Sequence, residues 1–476
     1  MNILFAASEA APFCKTGGLA DVAGSLPVAL AEKKSDRVAV ILPLYGAIGE
    51  PWRSRMTFRK YIYVDLAWRH EYCGLFSLTE QGVTWYFLDN ERYFCRGQFY
   101  GEPDDGERFA FFCRAVADLL PDLDDKPDIV HCNDWQTALL PVYLKDYACR
   151  MDYYRGIRSV YTVHNIEYQG WMHESAVEDV LGLDRGWWDT GVLQKDGAVN
   201  LMQAALLSAD AVTTVSPTYA WELRDPFHAH GLEHVIAAIG EKMTGVLNGI
   251  DMKSFNPYTD GALCARYSAG RLSGKAKCKA ALQQAVGLAQ TPDAPVIAIV
   301  SRLVGHKGMD LVCQALDGIM NCGAQLVVLG MGEACYEDFF RDAQCRYGGR
   351  VAACITYSDA LARQIYGGAD LYLMPSRSEP CGLSQMIAMR YGTVPIVRQT
   401  GGLNDSVRSC QAGQPDGTGF VFASYNAADL LHVIGEACRV YGTDYFKEVQ
   451  QRGMQEDFSW RRSARVYRDI YAKLPE

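Results

Sequence analysis

The stretch Asp370-Leu-Tyr-Leu-Met-Pro-Ser-Arg-Ser-Glu379-Pro-Cys381-Gly-Leu-Ser-Gln-Met-Ile-Ala-Met-Arg-Tyr-Gly392 admits few folds. A short apolar run leads into a Pro/Ser/Arg turn. Leu383, Met386, Ile387 and Arg390 then recur at helical spacing before a glycine stop. The order is strand, loop, helix. Glu379 therefore falls just beyond the carboxyl end of a strand, and Cys381, Gly382, Leu383 and Ser384 offer backbone N–H groups at a helix N-terminus, where anions bind. A carboxylate beside an anion cradle suits a sugar-phosphate ester. Taken alone, a Glu-Pro turn is more often a plain loop, so the reading needs support from the rest of the chain.

That support begins with the pattern of strands. In the first half, apolar and β-branched runs at residues 2–7, 38–42, 83–88, 128–132, 159–163 and 210–215 alternate with helical segments. The second half repeats the scheme at 296–301, 325–329, 351–355, 370–374, 394–397 and 419–422. Such alternation means parallel, doubly wound sheets, and 476 residues exceed one ordinary core. Two Rossmann-like α/β domains facing a central cleft are expected, over residues 1–245 and 246–457. The turn-rich segment around Asn248 and Gly249 is the expected hinge. Residues 458–476 read as an amphipathic helix packing back on the first domain.

Composition narrows the partners. With 49% hydrophobic and 21% charged residues the chain has the balance of a globular enzyme. A net charge of −10 argues against nucleic acid or an anionic membrane as partner, because both require a concentrated basic face. Sixteen cysteines lie singly, without C-x-x-C or Cys/His ligand spacing, so neither a disulfide framework nor a zinc site is indicated and a reducing cytoplasm fits. The first residues read as a strand rather than a signal peptide, and no run is long enough to span a membrane.

Candidate chemistry sits at strand ends. Lys15 precedes Gly17 and Gly18, where a lysine can place a point charge on a phosphate that the glycines allow to approach. A solvated loop lysine is the plain alternative. Asp21 is either a helix-dipole partner or a hydroxyl ligand. A second loop, Thr400-Gly-Gly-Leu-Asn-Asp405, resembles the first and is expected to expose backbone donors likewise. Arg302 and Lys307, straddling a glycine-containing turn after the first strand of the second half, can grip a pyrophosphate and oppose the charge that builds as it leaves. With these cations and no acidic metal box, the leaving group could be stabilised without magnesium. No metal or other cofactor is called for. His131, Asn133, Asp134, Trp135 and His164 mark two further polar strand ends, where a packed histidine and a functional one are both open readings. Trp135, Tyr93, Phe94, Tyr100 and Trp171 could form a platform for sugar rings, or belong to the core. His228, His230 and His234 fit a polar helix face better than a metal site. Gly330-Met-Gly332 lacks the third glycine and the acidic residue of a dinucleotide fingerprint.

In combination these motifs are recognisable: Lys-Thr-Gly-Gly-Leu-Ala-Asp-Val at 15–22, Val-His-Asn-Ile at 163–166, Val-Leu-Asn-Gly-Ile-Asp at 246–251, Ser-Arg-Leu at 301–303 with Lys307-Gly308, and Glu-Pro-Cys-Gly-Leu at 379–383. Nearly the whole chain resembles the glycogen/starch synthase family in its bacterial form. Glu-x-x-Gly recurs in many retaining glycosyltransferases; the lysine-glycine loop together with Glu-Pro-Cys-Gly-Leu is far more specific. The resemblance implies the GT-B fold, ADP-glucose as donor, and the non-reducing end of an α-1,4-glucan as acceptor. It further implies that Lys15 and the Gly17-Gly18 backbone contact donor phosphate or glucose, that Arg302 and Lys307 hold the diphosphate, and that Glu379 meets the reacting sugar. Backbone donors of Cys381, Gly382, Leu383 and Ser384 would meet phosphate and glucose. His164 is implied near the anomeric centre, Asp134 and Trp135 near the acceptor, and Asn248 and Tyr357 near the sugar and nucleotide. His306, Phe255 and Gln136 depart from the residues common there, glutamine, tryptophan and histidine, which touches local packing rather than the reaction class.

Retention of configuration can proceed through a covalent carboxylate intermediate or by attack on the same face, with the leaving phosphate taking the acceptor's proton. Glu379 has no obvious partner carboxylate, which favours the second. The alternatives are a transferase using UDP-glucose, a catalytically silent glucan-binding protein, and, more remotely, a dehydrogenase.

Overall fold

In the computed structural model, which describes residues 1–410 and 415–475, the chain divides into two units. Unit 1 comprises Met1–Gly249 joined by the C-terminal segment from Trp460, and unit 2 comprises Ile250–Ser459. The chain therefore crosses between units twice, at Gly249/Ile250 and at Ser459/Trp460.

Unit 1 carries β1 (Asn2–Ala6), β2 (Arg37–Pro43), β3 (Thr57–Leu66), β4 (Arg69–Glu80), β5 (Val83–Asp89), β6 (Ile129–Asn133), β7 (Arg158–Val163), β8 (Trp171–Met172), β9 (Gln194–Lys195), β10 (Ala198–Asn200), β11 (Ala211–Thr214) and β12 (Met243–Gly245). Nine of these form one sheet in the order β12-β11-β7-β6-β1-β2-β5-β4-β3, and β8-β10-β9 form a small second sheet. The large sheet is parallel through its centre, but β3 pairs antiparallel with β4 and β4 with β5, so it is mixed rather than wholly parallel. The sequence pattern hid this hairpin because its outward face is aromatic: Phe58, Tyr61 and Tyr63 are exposed while Val64 and Leu66 are buried beneath. Large aromatic residues on the outward face blur the alternation that marks a half-buried strand.

Unit 2 carries β13 (Val296–Val300), β14 (Gln325–Leu329), β15 (Val351–Cys354), β16 (Leu371–Met374), β17 (Val394–Arg398) and β18 (Phe420–Phe422). They form an all-parallel sheet, β15-β14-β13-β16-β17-β18. Continuous apolar strands such as Val-Ile-Ala-Ile-Val at β13 are what a sheet buried on both faces requires. Ile297, Ile299, Leu326, Val328, Leu371 and Leu373 form its core with residues of the flanking helices.

Both sheets reverse direction of growth at their first strand. In unit 1, β2 lies on one side of β1 and β6 on the other; in unit 2, β14 lies on one side of β13 and β16 on the other. Adjacent loops leave such a pair on opposite faces and open a crevice at the carboxyl ends, the usual ligand position in open α/β sheets.

The helix Trp460–Ala472 is anchored in unit 1. Arg468 donates to the carbonyls of Ala29 and Leu30 at 3.2 and 2.9 Å, ending the helix Gly18–Ala31. Tyr471 Oη lies 2.7 Å from Nδ1 of the fully buried His131, whose Nε2 meets Thr162 Oγ1 at 2.6 Å. His131, a candidate strand-end functional residue, is thus a core residue that ties the C-terminal helix to β6. Burial lowers its pKa to about 3, so the ring is neutral. Tyr471→Phe would leave one buried ring nitrogen unpaired. It should destabilise unit 1 by about 1–3 kcal/mol, read as a lower thermal midpoint. An unchanged midpoint would mean that the bond contributes nothing.

Candidate active site

In unit 2 the crevice between β13 and β16 is built by glycines that let loops touch. Beyond β13, Leu303 N donates to Met331 O at 2.9 Å and Glu333 N to Leu303 O at 2.8 Å. A Cβ at Gly330 would lie 1.8 Å from Ser301 O, and one at Gly332 2.1 Å from Leu303 O. The Gly-x-Gly pattern therefore serves close packing against the segment that carries Arg302. The next turn, Gly305–Lys307, ends at Gly308, whose φ of +78° and whose absent Cβ, 2.1 Å from Pro375 O, seat it on the loop after β16.

This brings Lys307 to Glu379. The ammonium donates to Oε1 and Oε2 at 2.9 and 2.7 Å, and Ser376 Oγ donates to Oε2 at 2.9 Å. Glu379 is only 7% exposed. Lys307, Arg302, Ser376, Glu379, Gly382 and Ser384 line a cavity of about 130 Å³. Among its described lining residues Glu379 is the single acid. Arg302 is exposed and has no ion pair among the described residues, which leaves a cation for a ligand. Leu383 is the N-cap of the short helix Ser384–Arg390 and makes no side-chain cap bond. Tyr357 stands apart on the surface, 79% exposed.

The second glycine loop does something other than the sequence suggested. Gly402 N donates to Glu379 O and Pro380 O at 3.1 and 3.2 Å, so that amide is spent inside the protein. A Cβ at Gly401 would lie 2.0 Å from Glu379 O, and one at Gly402 2.0 Å from Cys381 O. This loop is a seat for residues 379–381 rather than an anion cradle. The first loop differs: a Cβ at Gly18 would meet nothing within 4 Å and one at Gly17 only Glu9 Oε1, at 3.7 Å. Neither contact demands glycine there, and open space beside the backbone is what a closely approaching ligand needs.

In unit 1, Lys15 donates to both carboxylate oxygens of Asp21 at 2.7 and 2.8 Å, so these two candidates are each other's partners. Asp134, at the end of β6, has φ +55° and ψ −179°, a conformation that costs a non-glycine residue about 1–3 kcal/mol. Bonds over-determine it: Asp134 N donates to Thr162 O at 3.0 Å, and Oδ1 accepts from His164 N at 2.7 Å and Asn165 N at 3.4 Å. Burial raises the Asp134 carboxyl to about 7 against those two amides, with Glu9 adding repulsion. Asn133 Nδ2 donates to Ala6 O and His131 O, which turns its Oδ1 to His164 Nε2 at 3.0 Å. The ring therefore carries its proton on Nε2 and leaves Nδ1 as an acceptor. Burial lowers the His164 pKa to about 3, so it is neutral. Asn248 is buried, with an Oδ1 unpartnered among the described residues.

The aromatic platform is corrected in part. Tyr93 and Phe94 are wholly buried, and Tyr93 Oη donates to Glu107 at 2.6 Å, so Tyr93 belongs to the core and not to an acceptor surface. Trp135 is half-buried edge-on to Phe109, whereas Trp171 is 49% exposed. Sequence reasoning missed two residues here, Glu9 and Ser376. Each is a buried polar residue just past an apolar strand, and that placement was the available signal. Among the described residues no three His, Cys, Asp or Glu side chains cluster as a metal ligand set.

Two α/β units, one mixed and one all-parallel with a cation-lined crevice at its switch point, belong to the GT-B glycosyltransferase class. Residues 2–238 match the family model for the starch synthase catalytic domain, and residues 284–439 that for glycosyl transferases group 1. Relatives described as glycogen synthase, from Geobacillus thermodenitrificans and Lactococcus lactis, are 44% and 45% identical across 100% of this chain and 98% and 100% of theirs. The solved catalytic domain of starch synthase IV from Arabidopsis thaliana, bound to ADP and acarbose, matches with a TM-score of 0.90 at 34% identity, covering 99% of this chain and 98% of that one. Sucrose-phosphate synthase from Thermosynechococcus elongatus, at 17% identity and TM-score 0.62 over 99% of both chains, shares the fold. The chain belongs to the glycogen/starch synthase family.

Asp134 makes a pH-dependent contribution that can be isolated. Its pKa is about 7 when folded against the usual 3.8. Between those values the native state holds a proton that the unfolded chain has released. The contribution is therefore complete below pH 3.8 and is lost as pH rises through about 7. Thermal unfolding of wild type and Asp134→Asn at stepped pH should show wild type losing stability relative to the variant across that window. A constant difference would contradict the assigned environment.

Proposed function

We propose that this chain transfers glucose from ADP-glucose to the non-reducing end of an α-1,4-glucan with retention of configuration, in the cytoplasm. The observation that carries the reading is the unit 2 cavity, where Arg302, Lys307 and Glu379 meet at a sheet switch point beside the backbone of Gly382 to Ser384. The relative solved with ADP and acarbose supports a nucleotide-linked sugar and a glucan.

In this reading Arg302 and Lys307 hold the donor diphosphate and stabilise the charge that grows on it as the glycosidic bond breaks. The amides of Cys381, Gly382, Leu383 and Ser384 assist at phosphate and glucose. Glu379, held by Lys307 and Ser376, faces the reacting sugar. No second carboxylate among the described lining residues is present to share a double-displacement scheme. We favour attack by the acceptor hydroxyl on the face the diphosphate leaves, with a leaving-phosphate oxygen taking its proton. Lys15, with Gly17, Gly18 and Asp21, serves the donor. His164, neutral and with Nδ1 free to accept, serves the anomeric region. Asn248 serves the sugar through its unpartnered oxygen, Tyr357 the nucleotide, and Asp134 and Trp135 the acceptor. No metal ion is assigned a role.

Lys307→Ala and Arg302→Ala should each lower turnover by about 10²–10³-fold while the circular dichroism spectrum is kept. The assay is glucan extension with ADP-glucose run against UDP-glucose, ADP-glucose being preferred. Near-normal turnover in both variants would remove the diphosphate assignment, and equal or better use of UDP-glucose would overturn the donor.

A further inference from the structure

The helix Gly18–Ala31 begins without a conventional cap. Gly17 at its N-cap has no side chain to accept from the first-turn amides, which must find acceptors elsewhere. Glu9 supplies one from eight positions upstream. Glu9 leaves the end of β1 only 2% exposed, and its Oε2 accepts from Thr16 N at 2.5 Å and Thr16 Oγ1 at 2.7 Å. The backbone amides of Gly17 and Ala20 also act on the carboxylate, partly opposing the rise in pKa that burial imposes.

The surroundings fix Glu9 in turn. Ser8 Oγ lies 2.8 Å from Tyr100 Oη, and Asn133 Nδ2 donates to Ala6 O at 3.1 Å, so the chain on both sides of the β1 end is pinned. A Cβ at Gly18 would meet nothing within 4 Å, and Lys15 pairs with Asp21, in the first turns of the helix, at 2.7 Å. A loop with two glycines would otherwise sample many conformations, which a ligand would have to order on binding.

We infer that Glu9 is a positioning residue for the reaction: an internal hydrogen-bonding cap at the start of the helix Gly18–Ala31 that presets the Lys15–Gly18 loop for the donor. It touches no reacting atom. Its effect is to spend the two Thr16 donors on the protein itself, so that the loop meets the donor through Lys15 and the backbone of Gly17 and Gly18. This rests on the donor role given to the loop above, but the cap itself is tested separately.

The experiment uses the full chain with Glu9→Ala and Glu9→Gln. Amide hydrogen exchange without ligand reads the cap directly: both variants should exchange faster at Thr16 and Gly17, with the core strands unchanged. In glucan extension, Glu9→Ala should raise the KM for ADP-glucose by about tenfold or more and leave the KM for glucan unchanged, with Glu9→Gln intermediate because its one carbonyl oxygen still accepts from Thr16. Should Glu9→Ala fail to fold, Glu9→Gln decides alone. Wild-type exchange rates at Thr16 and Gly17 in Glu9→Gln, or an unchanged KM for ADP-glucose in that variant, overturns the inference. Inactivity of the wild type with ADP-glucose would instead defeat the donor reading and leave the exchange result to judge the cap.

Discussion

The ion pair between Lys307 and Glu379 is the constraint on which the site depends. Each residue follows a different strand of the pair at which the unit 2 sheet changes direction, and each reaches the other only because glycines let the intervening loops touch. Glu379 is nearly buried, and a carboxylate there without its ammonium would cost about 3–5 kcal/mol. The pair fixes both the cation and the acid before any ligand arrives, which is how a site avoids reorganisation during the reaction.

Glycine therefore has two distinct jobs in this chain. Gly308, Gly330, Gly332, Gly401 and Gly402 are required by atoms of the protein itself, since an added Cβ at each would fall within 2.1 Å of a backbone oxygen. Gly17 and Gly18 meet no such contact. The two Thr-Gly-Gly-Leu loops look alike as letters and are opposite in use. Nothing in a single sequence tells a glycine needed for packing from one needed for approach, because the difference lies in what stands a few ångströms away in space.

The parallel strands and the strand ends bearing Arg302, Lys307 and Glu379 were legible, because a buried parallel strand is a continuous apolar run and the polar residues that end it are conspicuous. The edge hairpin was not, since its solvent face carries Phe58, Tyr61 and Tyr63. Nor was the division of the aromatics: Tyr93 and Trp135 are equally plausible as sugar platforms on paper, and only tertiary packing buries one and half-exposes the other. His131 and His164 make the same point. One sits on β6 and the other just past the end of β7, and both are neutral, yet one is consumed by Tyr471 and Thr162 while the other keeps a ring nitrogen able to accept. Glu9 stood out only as a polar residue just past an apolar strand, because a cap supplied from eight residues upstream leaves no local motif.

Unit 1 stores strain at Asp134 and relieves it with three hydrogen bonds, whereas unit 2 stores electrostatic energy in a buried pair. Both devices lie at the carboxyl ends of central strands, where a parallel sheet cannot avoid presenting loops. The most direct measurement of the central claim is a crystal structure of the full chain with ADP. The account predicts the diphosphate within hydrogen-bond reach of Arg302 and Lys307, beside the Gly382–Ser384 backbone; a diphosphate bound away from the β13/β16 crevice would contradict it.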